Sequence, residues 1–400
     1  MIWISLQPYV ATERSLNKIL LGTPMTMQPV LARKHRTVAS RKTCALRQMG
    51  THVRAAFQPI EDLGTGEIVG FEALARLQRG DQLLSPADFL SGLPQDALAE
   101  LFRTMLGQAV SLRKSLVGDG PGFYVSVNVE VPLVLSDGFV DLLRDVLDQH
   151  AFVPNGAVVL ELLEGHVAPD LAQMSERLHA IRALGIRVAL DDIGSAYSSL
   201  INLRDLPVDI MKLDQSFARG LAGRPRDLHF VFSLQGLARS IGKRLIVEGV
   251  ETSEIRDALR VLGVDLAQGY GIARPMSAEA LPDWLSARRP GKVEQQGPRT
   301  LLGAYAGHLR VIEACRTLMG QPLPMAWKDA AKDPHACSIG AFFDRQGVHD
   351  TAFGQAHKRF HEVIDLYDAE PTRWQTGADE FRRELERALT DPTSRFRCDV

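Results

Sequence analysis

The chain has 400 residues, 45% of them hydrophobic and 24% charged, which is the balance of a soluble globular protein of two or three domains. Its net charge of −2 gives no electrostatic reason to expect a nucleic acid polymer or an acidic membrane as the main partner. Since no apolar run reaches about 18 residues, no membrane span is predicted. The four cysteines are scattered, which favours a reducing cytoplasm over a disulfide-stapled secreted protein.

The first 50 residues differ from the rest of the chain. Residues 33–47 are basic and contain no acidic residue, and the segment lacks the order of charges, apolar core and cleavage site that marks a signal peptide. A transit peptide and a nucleic-acid-binding arm are alternatives. We expect a disordered leader, or a start codon assigned too early.

Residues 51–286 alternate apolar strand-like segments with amphipathic helical ones, a pattern that predicts βαβ units and parallel strand pairing. Eight candidate strands lie at residues 55–60, 67–77, 123–129, 158–164, 187–193, 209–214, 244–250 and 266–272. Their number and spacing predict an α/β fold of the (β/α)₈ barrel type. The turn between the first two is too short for a helical crossover, so we expect an antiparallel hairpin there. A doubly wound open sheet is the alternative.

The remainder of the chain is predicted to be helical. Residues 287–300 contain two prolines and two glycines without periodicity, which indicates a linker. Residues 301–372 show helical periodicity and predict a small bundle. Residues 373–400 predict one further amphipathic helix and a frayed end.

Polar side chains recur near the carboxyl ends of the predicted strands. Since these ends converge on one face of a barrel, we expect a site there. The carboxylates could not all ionise without a compensating charge, and oxygen ligands favour Mg²⁺ or Mn²⁺. Two such ions suit attack of water on a phosphoester, and Arg76 could pair with a phosphate. The strand-end residues are Glu72, Asn128, Glu161, Glu164, Asp191, Asp192, Lys212, Asp214 and Glu248.

Each of these residues also has a simpler interpretation. A Glu–Arg pair in a strand is more often structural, an Asp-Asp pair after a strand often caps a helix, and a lone lysine usually lies at the surface. The repetition of such residues at successive strand ends favours a functional site.

The segments that carry these residues resemble one family. EALAR at 72–76 is accompanied by QPI at 58–60, VNV at 127–129, ELLE at 161–164, DDIGSAYSSL at 191–200, IMKLD at 210–214, VEGVET at 247–252 and QGYGIARPM at 268–276. In this order they resemble the EAL-domain phosphodiesterases, which hydrolyse cyclic di-GMP to linear pGpG. The resemblance covers residues 51–286 and implies a modified (β/α)₈ barrel with one antiparallel strand.

The resemblance also implies a role for each matched residue. The first metal ion would be held by Glu72, Asn128, Glu161 and Asp191, with Asp191 bridging to a second ion on Asp192. Lys212 would orient the attacking water and Glu248 would be its base or partner. Gln268 matches a glutamine near the second ion, Gln58 and Arg76 would touch substrate, and Glu164 would hold the loop after Asp192.

One loop departs from the family pattern. The common DDFGTGYSSL is replaced by DDIGSAYSSL, with Ile193, Ser195 and Ala196 at the changed positions. If the replaced glycine needs a positive φ, Ala196 costs about 1 kcal/mol in strain. Because this loop couples metal binding to dimerisation in the family, a homodimer is expected and activity could be altered. We expect an active enzyme, and a barrel that binds the nucleotide without cleaving it is the alternative.

Histidine is concentrated in the last hundred residues, where His357 and His361 share one helical face. With His308 and Cys337, their spacing resembles the chemoreceptor zinc-binding (CZB) domain, a four-helix bundle. The resemblance implies a Zn²⁺ site of these four ligands, with a structural or regulatory role. His335 is an alternative ligand at a cramped spacing, and a bundle without metal is the simpler interpretation. A zinc-regulated scaffold that binds no nucleotide is a third hypothesis for the whole chain.

Overall fold

The computed structural model of the chain describes residues 53–80, 82–118, 122–163, 170–193, 204–288, 297–318, 331–364 and 366–391. The predicted leader at residues 1–50, Glu164 and loop residues 194–203 lie outside this part of the chain. The strands are β1 (Val53–Asp62), β2 (Ile68–Arg79), β3 (Gln82–Leu84), β4 (Tyr124–Glu130), β5 (Val158–Leu163), β6 (Arg187–Ile193), β7 (Ile210–Leu213), β8 (Arg244–Val247), β9 (Leu266–Gln268) and β10 (Met276–Ser277).

Helices surround these strands and make up the C-terminal region. The barrel helices are α1 (Pro86–Phe89), α2 (Gln95–Val117), α3 (Val131–Val134), α4 (Phe139–Gln149), α5 (Leu171–Ala183), α6 (Gln215–Arg219), α7 (Leu228–Ser240), α8 (Ser253–Leu262) and α9 (Leu281–Ala287), with a 3₁₀ turn at Pro225–Asp227. The C-terminal helices are α10 (Leu301–Thr317), α11 (Ser338–Gln346), α12 (Ala352–Glu362), α13 (Leu366–Ala369) and α14 (Pro371–Thr390).

The sheet closes into an eight-stranded barrel because β1 pairs with both β2 and β9. These two pairings are antiparallel, whereas β2, β4 and β5 to β9 pair in parallel in that order. The predicted barrel with an initial antiparallel hairpin is therefore confirmed, and the alternative of an open sheet is wrong. The short strands β3 and β10 extend the sheet on β2 and β1.

The barrel interior is built in layers by the two-residue period of its strands. Its lower layer is apolar and consists of Ile60, Tyr124, Val159, Ala189, Ile210, Ile246 and Leu266, all buried. In a strand, the residue two positions further along points to the same side. The inward positions above this layer are accordingly Glu161, Asp191, Lys212, Glu248 and Gln268. The apolar layer thus forms the floor on which the polar residues stand.

Glu72 occupies a different place in its strand from the one predicted. It lies in the middle of β2, not near its end, because β2 continues to Arg79 beyond the barrel rim. Its register partners are Gln58 on the antiparallel β1 and Ser126 on β4. Glu72 therefore still faces the polar layer, although the strand does not stop there.

The C-terminal helices enclose an apolar core of their own. Trp374 and Phe381 of α14 are fully buried, and α14 packs against α10 and α12. The predicted boundary between residues 372 and 373 falls inside α14, so the last helix belongs to this bundle. The sequence pattern alone could not show this, since an amphipathic helix does not reveal what covers its apolar face.

Polar contacts dock the bundle on the barrel, among them those of Asp257 and Glu386. Asp257 of α8 accepts hydrogen bonds at its Oδ2 from the backbone nitrogens of Arg299 and Thr300, at 2.8 and 3.0 Å, which fixes the start of α10. Glu386 of α14 accepts from Arg226 of the 3₁₀ turn at 2.9 Å and from the Tyr305 hydroxyl at 3.0 Å. α10 packs along α8, and residues 301–309 are all buried. The helix that follows Glu248 in the chain and the 3₁₀ turn before α7 thus contact the bundle.

Among the described residues, no helix combines the length and the apolar character that crossing a bilayer requires.

Candidate active site

Lys212 stands at the centre of the polar layer and is surrounded by carboxylates. Its Nζ lies 2.6 Å from Glu161, 2.7 Å from Glu248, and 3.4 Å from each of Glu72 and Asp191. Lys212 and Glu161 are 1% exposed, so this ion-pair network is shielded from water. The four acidic residues come from β2, β5, β6 and the end of β8, and barrel closure brings them to one point.

Three side-chain amides lie around Glu72. The Asn128 Nδ2 donates to Glu72 Oε1 at 2.8 Å, and the Gln268 Nε2 donates to Glu72 Oε2 at 2.7 Å. The Gln268 Nε2 also lies 3.2 Å from Gln58 Oε1, and Gln58 donates to the backbone oxygen of Ala273. These bonds hold Glu72 in one orientation, as a ligand or binding residue requires.

Asp192 departs from regular strand geometry next to this cluster. Its φ is 56°, in the left-handed region that a non-glycine residue rarely occupies, and its backbone nitrogen donates to Asp191 Oδ1 at 2.9 Å. The conformation brings oxygens of Asp191, Asp192 and Glu248 within 4.8 Å of one another. Three carboxylates so close could together hold a cation.

If all four were ionised, the carboxylates around Lys212 would carry more negative charge than its single ammonium can neutralise. Burial raises the pKa of Glu248 to about 7, and burial together with neighbouring carboxylates raises the pKa of Glu161 and Asp191. Burial would also raise the pKa of Glu72, but Lys212 and the two amides outweigh it and hold that pKa low. Lys212 remains protonated, because the surrounding carboxylates raise its pKa despite burial.

The donor set fits hard divalent cations. It consists of carboxylate and amide groups, with no histidine or cysteine among the residues around Lys212. The buried Oε1 of Gln268 has no hydrogen-bond partner among the described residues, so it can accept from a water. Oxygen ligands with excess negative charge are those that Mg²⁺ and Mn²⁺ prefer.

A cavity of about 190 Å³ opens above the cluster. It exposes Glu72, Asp191, Glu248 and Gln268 to a ligand, and its rim includes residues to which sequence reasoning gave no role. Arg219 pairs with Glu251 at 2.8 Å, and Arg274 stacks on the exposed Tyr270 ring at 4.4 Å. Tyr270 belongs to the QGYGIARPM segment, so this motif was the sequence signal that could have placed it at the site.

Two of the predicted polar residues have other contacts. Arg76 is half-buried, its Nη1 donates to the neighbouring backbone oxygen of Ala75, and it does not line this cavity. Asp214 caps α6 by accepting from the backbone nitrogen of Ser216, a structural role that the sequence interpretation did not assign to it. Ile193 is buried, while Ser195 and Ala196 lie outside the described residues.

A second cluster lies in the C-terminal helices. Cys337 at the start of α11 and the α12 residues His357 and His361 have ligand atoms within 4.8 Å of one another. Cys337 Sγ is 3.3 Å from His357 Nε2, which is 3.0 Å from His361 Nε2. Burial lowers the pKa of His357 to about 3 and also lowers that of His361, so both imidazoles are neutral. Neutral imidazoles beside a thiol are suitable zinc ligands.

His308, the fourth predicted ligand, is buried but turned partly away from this group. Its Nε2 lies 2.9 Å from the backbone oxygen of Ala378, and its Nδ1 has no partner among the described residues. Its ring contacts Phe360 and Phe381, and the Phe381 ring also contacts His357. The structure therefore brings together three of the four predicted ligands, with His308 beside them.

Comparisons with known proteins match the barrel. A family model described as the EAL domain matches residues 44–275. The cyclic di-GMP phosphodiesterases PA2567 and RocR of Pseudomonas aeruginosa are 34% and 32% identical over 57% and 58% of this chain, and the matches cover 39% and 59% of those proteins. The solved structure of PaMucR phosphodiesterase in complex with c-di-GMP is 28% identical with a TM-score of 0.55, covering 60% of this chain and 99% of that one.

These matches concern one region of larger proteins, since the chain spans less than two thirds of the length of both curated relatives. The family model nevertheless covers more than half of the chain, and its range includes every residue of the Lys212 cluster. The chain belongs to the EAL domain family.

Proposed function

We propose that the chain hydrolyses cyclic di-GMP to linear pGpG in the barrel cavity. The observation that carries the proposal is the buried arrangement of Glu72, Glu161, Asp191 and Glu248 around Lys212 in a member of the EAL domain family. Related proteins named as cyclic di-GMP phosphodiesterases support the choice of substrate.

Two divalent cations, Mg²⁺ or Mn²⁺, belong to this proposal. Glu72, Asn128, Glu161 and Asp191 would hold the first, and Asp192 the second, with Asp191 shared between them. When bound, such ions would neutralise the phosphodiester and increase the acidity of water. The oxygen donors, the surplus negative charge and the unpartnered Gln268 Oε1 support their presence.

The residues of the chain itself would position water and move its proton. Burial raises the pKa of Glu248 to about 7 in the metal-free protein, and the carboxylate form of Glu248 would take a proton from water. Lys212, between Glu161 and Glu248, would orient that water and hold the base in place. Attack at phosphorus forms a bond from the water oxygen and breaks the bond to one ribose 3′ oxygen. That oxygen takes a proton from solvent water and leaves as a hydroxyl, which gives a 5′ phosphate. Gln58 and Gln268 are proposed to contact the nucleotide in the cavity. Arg76 is proposed to contact it as well, for which its side chain would have to turn from the Ala75 backbone oxygen.

Two glutamate variants test this assignment. Glu72→Gln keeps the shape of the side chain but removes its charge, and we expect hydrolysis to fall about 100-fold or more, measured by chromatography of pGpG. The matched control is Glu176→Gln, which removes an exposed charge of α5 outside this cavity and should retain activity within about threefold. Equal losses in both variants would contradict the assignment of Glu72.

A second candidate function is a receptor that binds cyclic di-GMP without cleaving it. The replacement of the family's glycine by Ala196 in the 191–200 loop favours this alternative. Nucleotide binding with no turnover would support it, whereas retention of the whole acidic cluster favours catalysis.

We also propose that the C-terminal bundle is a zinc-binding domain of the CZB type that regulates the barrel. Cys337, His357 and His361 would hold Zn²⁺ together with His308, whose ring contacts the same aromatic cluster. The bundle contacts α8 and the 3₁₀ turn before α7, and α7 leads into β8 and Glu248. Zinc could therefore alter the position of the catalytic base through these helices.

Zinc titration of the hydrolysis rate tests this coupling. The wild-type rate should change with zinc, while Cys337→Ala should keep the basal rate and lose the response, because the thiolate ligand is missing. Cys315→Ala is the matched control, since Cys315 is a buried cysteine of α10 outside the cluster. A response of equal size in Cys337→Ala would contradict the proposal.

A homodimer is the proposed assembly, on the strength of the resemblance of the 191–200 loop alone. Analytical ultracentrifugation with and without Mg²⁺ and nucleotide tests it. A monomer under all these conditions would contradict it.

A further inference from the structure

A third group of metal-ligand side chains lies on the outside of the C-terminal helices. His335 Nδ1 is 2.8 Å from Asp344 Oδ1, and His349 Nε2 is 2.6 Å from the same oxygen. The two imidazole rings are 4.5 Å apart, and the three ligand atoms lie within 4.8 Å of one another. We propose that His335, Asp344 and His349 form a second site for a divalent transition-metal ion, separate from the Cys337 cluster.

The backbone before α11 packs closely against that helix, which brings His335 to Asp344. A Cβ on Gly340 would overlap the backbone oxygen of Pro334 and lie 3.1 Å from the Cα of His335. The segment that carries His335 can therefore lie directly against α11 only because residue 340 is glycine. Asp344 is four residues further along α11, on the same face of the helix, so it meets the His335 side chain.

The backbone of His349 is held by a second close contact, with the first turn of α12. α11 ends at Gly347, whose φ of 63° turns the chain back, and α12 follows. A Cβ on Gly354 of α12 would lie 2.6 Å from the backbone oxygen of His349, and the Gln355 side chain donates to that oxygen at 3.1 Å. The backbone at both histidines is thus held in place, and the contacts with Asp344 orient the two rings, which reduces the entropy lost when an ion binds.

The donor set indicates the class of ion. Two imidazole nitrogens and one carboxylate oxygen favour Zn²⁺, Co²⁺, Ni²⁺ or Cu²⁺ over Mg²⁺. The side chains of His335, Asp344 and His349 are 57%, 44% and 30% exposed, so water can complete the coordination shell. We expect weaker binding there than at the buried Cys337 cluster, which also offers a thiolate.

The two sites are neighbours that can be distinguished. The Phe343 ring contacts one histidine of each site: its centroid is 6.2 Å from that of His349 and 5.1 Å from that of His357. They share no ligand, so each can be removed by its own substitution. The inference does not depend on catalysis in the barrel.

Cobalt titration of the full chain tests the second site. Cobalt at the Cys337 cluster gives a thiolate charge-transfer band, whereas an ion on His335, Asp344 and His349 gives none. Bound cobalt is counted after dialysis against a weak chelator such as citrate, which removes adventitious surface ions. With excess Mg²⁺ present to occupy the carboxylate site of the barrel, the wild-type chain should retain one more cobalt ion than the thiolate band accounts for. His349→Gln and Asp344→Asn should each lose that ion and keep the band.

The controls separate this proposal from that of the Cys337 cluster. Cys337→Ala should lose the band and keep the second ion, and His179→Gln, at an exposed histidine of α5, should change neither. If the Cys337 cluster binds nothing, the wild type shows no band but still retains the ion that His349→Gln loses. The proposal is overturned if His349→Gln and Asp344→Asn, shown to be folded by circular dichroism, retain as much cobalt as the wild type.

Discussion

Glu248 shows how the position of a single residue in the barrel sets its chemistry. It follows directly after β8, two residues beyond the apolar Ile246, so the period of the strand turns it inward. There burial raises its pKa to about 7, although the Lys212 ammonium is 2.7 Å away. A glutamate at this pKa is suited to proton transfer near neutral pH.

The raised pKa predicts how the metal-free protein responds to pH. A carboxyl group that holds its proton more tightly when folded stabilises the fold at low pH, and this contribution is lost as pH rises from about 4.5 through about 7. The protein should therefore gain more thermal stability from Mg²⁺ or Mn²⁺ at about pH 8 than at about pH 5, where protons already neutralise the cluster. The measurement is a melting curve in EDTA and in metal at both values.

The matched control for this experiment is Glu248→Gln, which cannot ionise at residue 248. Its metal-free stability should fall less between the two pH values than that of the wild type. Equal stabilisation by metal at both values in the wild type would show that the carboxylates are not the source of the effect.

At the scale of elements, the strands could be predicted from sequence much better than the contacts of the helices. The predicted ranges 187–193 and 158–164 agree with β6 and β5 within one residue, because buried apolar runs are continuous in parallel strands. The positive φ of Asp192 and the approach of His335 to Asp344 depend on backbone geometry that no periodicity encodes. Glu386 resembled an ordinary surface residue of an amphipathic helix, since nothing in the pattern shows that α14 meets Arg226.

The contact between α14 and the barrel leads to a stability prediction. Burial would raise the pKa of Glu386, but hydrogen bonds from Arg226 and Tyr305 and the charge of Arg382 hold it below its usual 4.5. Glu386→Gln keeps the shape but loses the charge, and we expect the free energy of unfolding at pH 7 to fall by about 1–3 kcal/mol. Chemical denaturation checks this value.

The pH dependence and a control make this prediction specific. A depressed pKa stabilises the fold above about pH 4.5 and ceases to do so as pH falls through the lowered value, so the difference between variant and wild type should shrink in acid. Glu380→Gln removes the exposed pair with Arg359 in the same bundle and should cost less than about 0.5 kcal/mol. A similar loss in both variants would mean that Glu386 contributes no more than a surface charge.

At the scale of the whole molecule, a closed barrel and a helical bundle are joined through α8 and the 3₁₀ turn before α7. The number and order of strands predicted the barrel because each strand needs the next to bury its faces. The way the bundle docks could not be predicted, because it depends on single side chains such as Asp257 and Glu386. If zinc regulates hydrolysis, these contacts are the route that connects the two parts.

The measurement that tests the central proposal most directly follows binding and turnover in one sample. Purified protein is incubated with cyclic di-GMP and Mn²⁺, and bound nucleotide and free pGpG are quantified over time beside Glu72→Ala. We predict that pGpG accumulates over many turnovers with the wild type and not with the variant. Stable binding of intact cyclic di-GMP by the wild type, with no pGpG in either Mn²⁺ or Mg²⁺, would contradict the proposal and identify the barrel as a receptor.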